Sequence, residues 1–289
     1  MTGFSSAWLA LREPADSAAR SAALLERLRD RGRETGVRQI IDLGSGTGAN
    51  LRDLAPRLGG RQDWLLVDDD PALLELCSTG TEPARAGAAR IGTASARPEG
   101  ARFDTARAAP GRGPTSGGEP LARTVRVARS DLATGLAALP WPDRGLVTAS
   151  ALLDLVSRAW LESLARHCAA AGAQALFALT YDGRIDLAPE EPEDGLLREL
   201  VNRHQRRDKG FGPALGPDAV PAAAEIFGTA GYAVDTAHSD WRLGGEQAGL
   251  QCALLRGWRE AAGETAAELD EQLESWLGRR LAHVEAGRS

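Results

Sequence analysis

Nine residues constrain this chain more than any others: Asp42-Leu43-Gly44-Ser45-Gly46-Thr47-Gly48-Ala49-Asn50. They follow the apolar run Val37 to Leu43, and a helical pattern resumes over 49–58. A short apolar run entering a glycine cluster reads as a buried strand ending in a turn. Glycines there let a ligand approach the backbone closely and let the next helix pack tightly. The same alternation continues downstream. DWLLVDDD (63–70) reads as a second strand, with Asp70 as N-cap and Pro71 as first residue of the following helix. Residues 124–132 alternate like a strand, 145–156 read as a strand passing into a helix, and 173–182 as another strand. Residues 232–243 and 250–258 are expected to form a terminal antiparallel pair. Helices are expected over 17–31 and 265–281, the latter opened by a capping box at Thr265 and Glu268. Strands alternating with helices argue for an α/β fold with a mostly parallel sheet.

Composition narrows the class. A chain of 289 residues, 43% hydrophobic and 26% charged, can bury a sizeable core. It contains no apolar run of about 18 residues, so no membrane span is expected. The N-terminus lacks a basic stretch followed by an apolar one, and three scattered cysteines suit neither a disulfide framework nor a zinc cluster. A cytoplasmic protein is expected. The net charge of −6 argues against generic binding to nucleic acid. Of 34 basic residues only Lys209 is a lysine, a bias that coding preference explains. Residues 78–122 hold eight Gly, five Pro and few large apolar side chains, and are expected to form a flexible insertion. Nothing in the sequence sets the oligomeric state.

The glycine turn alone leaves its ligand open, because Gly44, Gly46 and Ala49 also satisfy a dinucleotide fingerprint. Asp42 bears on the choice. A carboxylate two residues before the first glycine would lie close to a diphosphate, and like charges at that range are costly. Beside the sulfonium and ammonium of S-adenosylmethionine it would be favourable. Asp68, at the end of the second strand, is placed to accept from both ribose hydroxyls, which fits either cofactor. Asp131 is a candidate acceptor for an adenine amino group, and equally a helix N-cap.

Together these segments resemble the class I S-adenosylmethionine-dependent methyltransferases. IIDLGSGTGANL resembles the family's glycine-rich first motif, LLVDDDPALLEL its acidic second motif, Arg129-Ser130-Asp131-Leu132 the third, and VTASALLDLVS the fourth, which faces the methyl group. The resemblance covers about residues 37–255 with the insertion set aside. It implies a Rossmann-like, doubly wound, mostly parallel seven-stranded sheet with an antiparallel last strand. It implies a core over 37–260 between an N-terminal helical cap (1–36) and a C-terminal helix (261–289). The cofactor contacts it implies are Asp42, Gly44, Ser45, Gly46, Asn50, Asp68, Asp69, Asp131, Leu132 and Ser150. In one respect the chain departs from the family's nucleic-acid amino-methylating branch. That branch carries Asn/Asp-Pro-Pro-aromatic in the fourth motif, where this chain has Thr148-Ala149-Ser150-Ala151. A small-molecule acceptor is therefore expected, and an anionic one is suggested by the basic segment described next. The rival readings are an NAD(P)-dependent oxidoreductase and a non-catalytic adenosylmethionine-binding protein.

Methyl transfer from a sulfonium is a displacement on an activated leaving group, so alignment supplies much of the rate and no catalytic triad is obligatory. A base is needed only where the nucleophile starts protonated. The segment 202–212 gathers His204, Asp208, Arg207, Lys209 and further cations, a set suited to clamping a carboxylate or phosphate. His204 is the first candidate base and His238 the second. Tyr181, after the strand at 173–182, and Asp208 complete the catalytic candidates. Asp154, beside the fourth motif, Arg12 in the N-terminal piece, Arg207 and Lys209 are the acceptor candidates. Arg12 and Arg20 are also placed to meet the cofactor's carboxylate. No metal site is expected.

Overall fold

The computed structural model describes residues 4–32, 38–79, 103–104 and 123–289. The elements, in chain order, are α1 (Ser6–Ala19), α2 (Ala22–Gly32), β1 (Arg38–Leu43), α3 (Ala49–Leu58), β2 (Gln62–Asp68), α4 (Pro71–Thr79), β3 (Phe103–Asp104), β4 (Arg123–Arg129), α5 (Leu132–Gly135), β5 (Leu146–Ser150), α6 (Arg158–Ala170), β6 (Gln174–Ala178), α7 (Asp194–Gln205), α8 (Ala219–Thr229), α9 (Ala248–Thr265) and α10 (Asp270–Glu285). The chain divides into two compact units: residues 22–150 with 167–176, and residues 1–21 with 151–166 and 177–289. Apart from its ends at 78–79 and the strand at 103–104, the expected insertion at 78–122 lies outside the described residues.

The first unit carries the sheet, ordered β3-β4-β2-β1-β5-β6. β1 pairs in parallel with β2 and with β5, and β2 pairs in parallel with β4. The two-residue β3 is antiparallel to β4. Without β3 the strands run third, second, first, fourth, fifth, the order of an open doubly wound sheet. The order reverses at β1, so the glycine turn after β1 stands at the topological switch point. A core of Ile40, Leu51, Leu54, Trp64, Leu66, Val125 and Leu146 joins α3 to the sheet. Two polar side chains within it are paired: Trp64 Nε1 donates to Gln62 Oε1 at 2.7 Å, and Gln62 Nε2 donates to the carbonyls of Ala55 and Gly59. Asp70 caps α4 as expected, accepting from Ala72 N at 2.8 Å.

The second unit is helical. Leu197, Leu200, Val201, Leu255, Leu273, Trp276 and Leu277 pack α7, α9 and α10 together. Arg280 is fully buried there. Its guanidinium pairs with Asp194 and donates to the Pro189 carbonyl at 2.6 Å, while Trp276 Nε1 donates to Asp194 Oδ1 at 2.8 Å.

Several expectations are corrected. Among the described residues the sheet has five parallel strands and one short antiparallel strand, not seven with an antiparallel last strand. The expected terminal pair is absent: 232–244 has no regular structure, and 250–258 lies within α9. The apolar run there also fits a helical period, with Leu250, Leu255 and Ala262 buried on one side, and a short apolar run cannot be assigned by periodicity alone. Thr265 ends α9, donating its hydroxyl to the Ala261 carbonyl, and opens no helix. The helix expected over 17–31 is broken by extended backbone at Arg20. The strand β5 does not pass into a helix, because 151–157 forms turns before α6.

Removing Asp194 would strand the buried Arg280 guanidinium. Asp194→Ala should cost about 3–5 kcal/mol, since a buried charge loses its partner. Urea denaturation followed by circular dichroism measures this, and a loss below about 1 kcal/mol would show that Arg280 is held by other groups.

Candidate functional site

In the sheet unit, the turn between β1 and α3 is built by glycine geometry. Gly44, Gly46 and Gly48 have φ of 65°, 53° and 80°, a region that side chains with a Cβ rarely adopt. The turn is tied to β2: Ser45 N donates to the Val67 carbonyl at 3.0 Å, and Gly46 N donates to Asp68 Oδ2 at 2.8 Å. The other Asp68 oxygen accepts from Asp70 N at 3.1 Å. Burial raises the Asp68 carboxyl above its ordinary value, and these backbone donors oppose that rise. Beneath the turn, Cys77 donates its thiol to the Gly46 carbonyl at 3.0 Å. Burial, reinforced by the negative charge of Asp42, pushes that thiol up to about 12.

Asp42 is fully buried. It pairs in register with Thr148 across β1 and β5, and Asn50 on α3 bridges the two, donating to Asp42 Oδ1 at 2.7 Å and Thr148 Oγ1 at 3.1 Å. Asn50 Oδ1 is buried with no hydrogen-bond partner in the structure. Asp131 caps α5, accepting from Ala133 N at 2.9 Å and from the Thr134 hydroxyl at 3.1 Å. Leu132 is buried beside it, Asp69 is exposed, and Ser150 is half-buried at the end of β5. The donor set fits a nucleoside with a cationic tail. Asp42, Asp68, Asp69, Asp70 and Asp131 lie at or next to the carboxyl ends of β1, β2 and β4. The nearby Arg52 and Arg129 are turned to backbone carbonyls of Thr47 and Asp69.

The helical unit gathers a second group. Asp154 follows β5, is buried, and accepts from its own backbone amide and, at 3.4 Å, from Tyr181 N. Burial pushes its carboxyl up to about 6, with smaller opposing pulls from its own backbone amide, Tyr181 N, Arg12 and Lys209. Four sequence-nominated residues thus converge: Arg12, Asp154, Tyr181 and Lys209. The Tyr181 hydroxyl donates to Asn202 Oδ1 at 2.6 Å, and burial raises its phenol further. Lys209 lies 3.3 Å from His204 Nδ1, and His204 Nε2 lies 3.1 Å from Glu264. Arg12 makes a two-pronged pair with Asp16 and lies over the Trp241 ring, 5.0 Å from its centroid.

Three further candidates have other partners. Arg207 is exposed and bound to Glu264, and Asp208 accepts from Gly210 N and Gly212 N in its own loop. His238 lies in the irregular 232–244 segment beside Arg184, not in a strand. Thr148, Asn202 and Glu264 were missed as site residues by sequence reasoning. Asn202 and Glu264 lie on helices with no local motif, and only the fold brings them to Tyr181 and His204.

The strand order, the left-handed glycine turn at the switch point and the acid closing β2 occur together. Together they are an open, doubly wound α/β sheet with a ligand-sized turn at its switch point, the arrangement that the resemblance to class I S-adenosylmethionine-dependent methyltransferases implies. No family model and no curated protein matches the chain. Among solved structures it is similar to the cyclopropane synthase MmaA2 of Mycobacterium tuberculosis, at 10% identity and TM-score 0.48, covering 99% of this chain and 90% of that one. It is similar to the YcgJ protein of Bacillus subtilis at 17% and 0.43, covering 88% and 82%. For a SAM-dependent methyltransferase of Aquifex aeolicus the values are 14% and 0.40, covering 81% and 92%.

Two measurements check the buried acids. Asn50→Ala removes a donor from the buried Asp42 and should cost about 1–3 kcal/mol in chemical denaturation. For Asp154 the folded state holds the proton more tightly than the unfolded chain, whose aspartates titrate near 3.9. Its contribution to stability therefore falls as pH rises from about 4 through about 6. Asp154→Asn should stabilise the protein at pH 7 by on the order of 2–3 kcal/mol, and that gain should vanish below pH of about 4. An equal effect at both pH values would show that Asp154 does not titrate as described.

Proposed function

We propose that this chain transfers a methyl group from S-adenosylmethionine to a small-molecule acceptor. The observation that carries the reading is the fully buried Asp42 behind a left-handed glycine turn. A fixed negative charge there favours a cationic ligand and disfavours a diphosphate. The sulfonium supplies an activated methyl group when the cofactor is bound. Gly44, Ser45, Gly46 and Asn50 would hold its tail, Asp68 its ribose, and Asp131 with Leu132 its base. Asp69 and Ser150, at the ends of β2 and β5, would border it.

Asp154, Tyr181 and Lys209 are the groups we assign to the acceptor. A carboxyl that titrates near 6 is suited to accept a proton at neutral pH. Lys209 offers donors to an anionic group on the same molecule, and Arg12 adds positive potential. Arg207, bound to Glu264, adds positive charge beside Lys209, and Asp208 holds the loop that carries Lys209.

Calorimetry with S-adenosylhomocysteine and with NAD tests the reading. Binding of the first and not the second is expected, and binding of NAD alone would overturn it. Asp68→Ala should weaken S-adenosylhomocysteine at least about tenfold, because hydrogen bonds to a charged group contribute roughly 1.5–3 kcal/mol. An unchanged dissociation constant would place the ribose elsewhere.

A further inference from the structure

The hydrogen bonds around His204 leave one arrangement of protons. Lys209 Nζ lies 3.3 Å from Nδ1, and Glu264 Oε2 lies 3.1 Å from Nε2. An ammonium only donates and a carboxylate only accepts. Nδ1 must therefore offer its lone pair to Lys209, and Nε2 carries the proton that it donates to Glu264. We infer that Glu264, acting through His204, is a positioning residue that holds the Lys209 ammonium within electrostatic reach of Asp154. The inference rests on the reading that Asp154 and Lys209 handle the methyl acceptor.

Three observations separate this chain of groups from an incidental surface ion pair. Its exposure is graded, from the buried Asp154 to a His204 side chain 17% exposed and a Glu264 side chain 56% exposed. Glu264 already has a cation, since Arg207 donates to its carboxylate at 3.3 Å and to its carbonyl at 2.8 Å. Its bond to His204 is therefore not required to neutralise it. Lys209 and Asp154 also act on each other: burial lowers the affinity of the amine for its proton, Glu264 and then Asp154 raise it, and the ammonium lowers that of the carboxyl.

Among the described residues, Tyr181 and two arginines face this chain of groups. Arg12, itself held by Asp16, acts on Asp154, and Arg207 acts on Lys209 and Glu264. A lysine on a four-carbon stem loses rotamer freedom when a ligand orders it. Fixing its ammonium beforehand from the His204 side lowers that cost, which is preorganisation of the acceptor anchor.

Nitrogen NMR of the full chain tests the inference without a known acceptor. The protein has four histidines, and His204→Gln identifies the His204 signals. At pH 8 the two-bond nitrogen–carbon-proton pattern of His204 should be that of the single Nε2–H tautomer. Glu264→Ala should lose that single pattern and shift the Asp154 carboxyl midpoint, read by carbon NMR, upward. Lys209→Met should shift the same midpoint upward. Glu264→Gln should restore the tautomer, because an amide oxygen accepts the same bond. It also reports on the tautomer if the alanine variant fails to fold. An Nδ1–H tautomer in the wild type would overturn the inference. So would a Glu264→Ala variant with the tautomer and the Asp154 midpoint unchanged, or a Gln variant that fails to restore the tautomer. Calorimetry of S-adenosylhomocysteine on the wild-type chain tests the cofactor reading separately, so the two can fail independently.

Discussion

The hydrogen bond from the Gly46 amide to the Asp68 carboxylate is the constraint on which the sheet unit's candidate site depends. It joins the turn after β1 to the end of β2, two segments that parallel pairing already places side by side. Three left-handed glycines make the turn possible, and the carboxylate holds it in one shape. The same carboxylate accepts from Asp70 N, next to the start of α4. One side chain thus orders both the glycine turn and the entry to the next helix, while keeping lone pairs that a ribose can use.

The helical unit handles buried charge in two contrasting ways. Arg280 is fully buried, and Asp194 and the Pro189 carbonyl answer its guanidinium directly. Burial of that kind joins α7 to α10 and needs no ligand. Asp154 is also buried, yet it is met by backbone amides, its own and at 3.4 Å that of Tyr181, and the cations that act on it do so through space. A folded protein ordinarily pairs a buried carboxylate or removes it. The carboxyl kept beside Tyr181 and Lys209 is the group we assign to the proposed acceptor.

Much of the sheet unit was legible from local pattern. The strands at 38–43 and 62–68, the helix at 49–58, the Asp70 cap and the glycine turn all follow from short-range rules about period and backbone conformation. The errors came where two periods fit one run. The stretch at 250–258 satisfies a strand as an apolar run and a helix as an amphipathic one, and packing against α7 and α10 decides for the helix. The turns after β5 were hidden for a similar reason: Leu152, Leu153 and Val156 are apolar because they are buried, not because they are helical.

By itself, the sequence determined the switch-point turn and the acids Asp42 and Asp68, because glycine conformation and strand ends are local properties. It also nominated Asp154, Tyr181, His204 and Lys209 as polar residues in or near the right loops. Only the tertiary structure decided which of them meet. It brought Glu264 and Asn202 from distant helices to His204 and Tyr181, tied Arg207 to Glu264 and Asp208 to its own loop, and made Asp131 the cap of α5. Hydrogen-bond partnership between residues far apart in the chain depends on packing, and no local pattern encodes it.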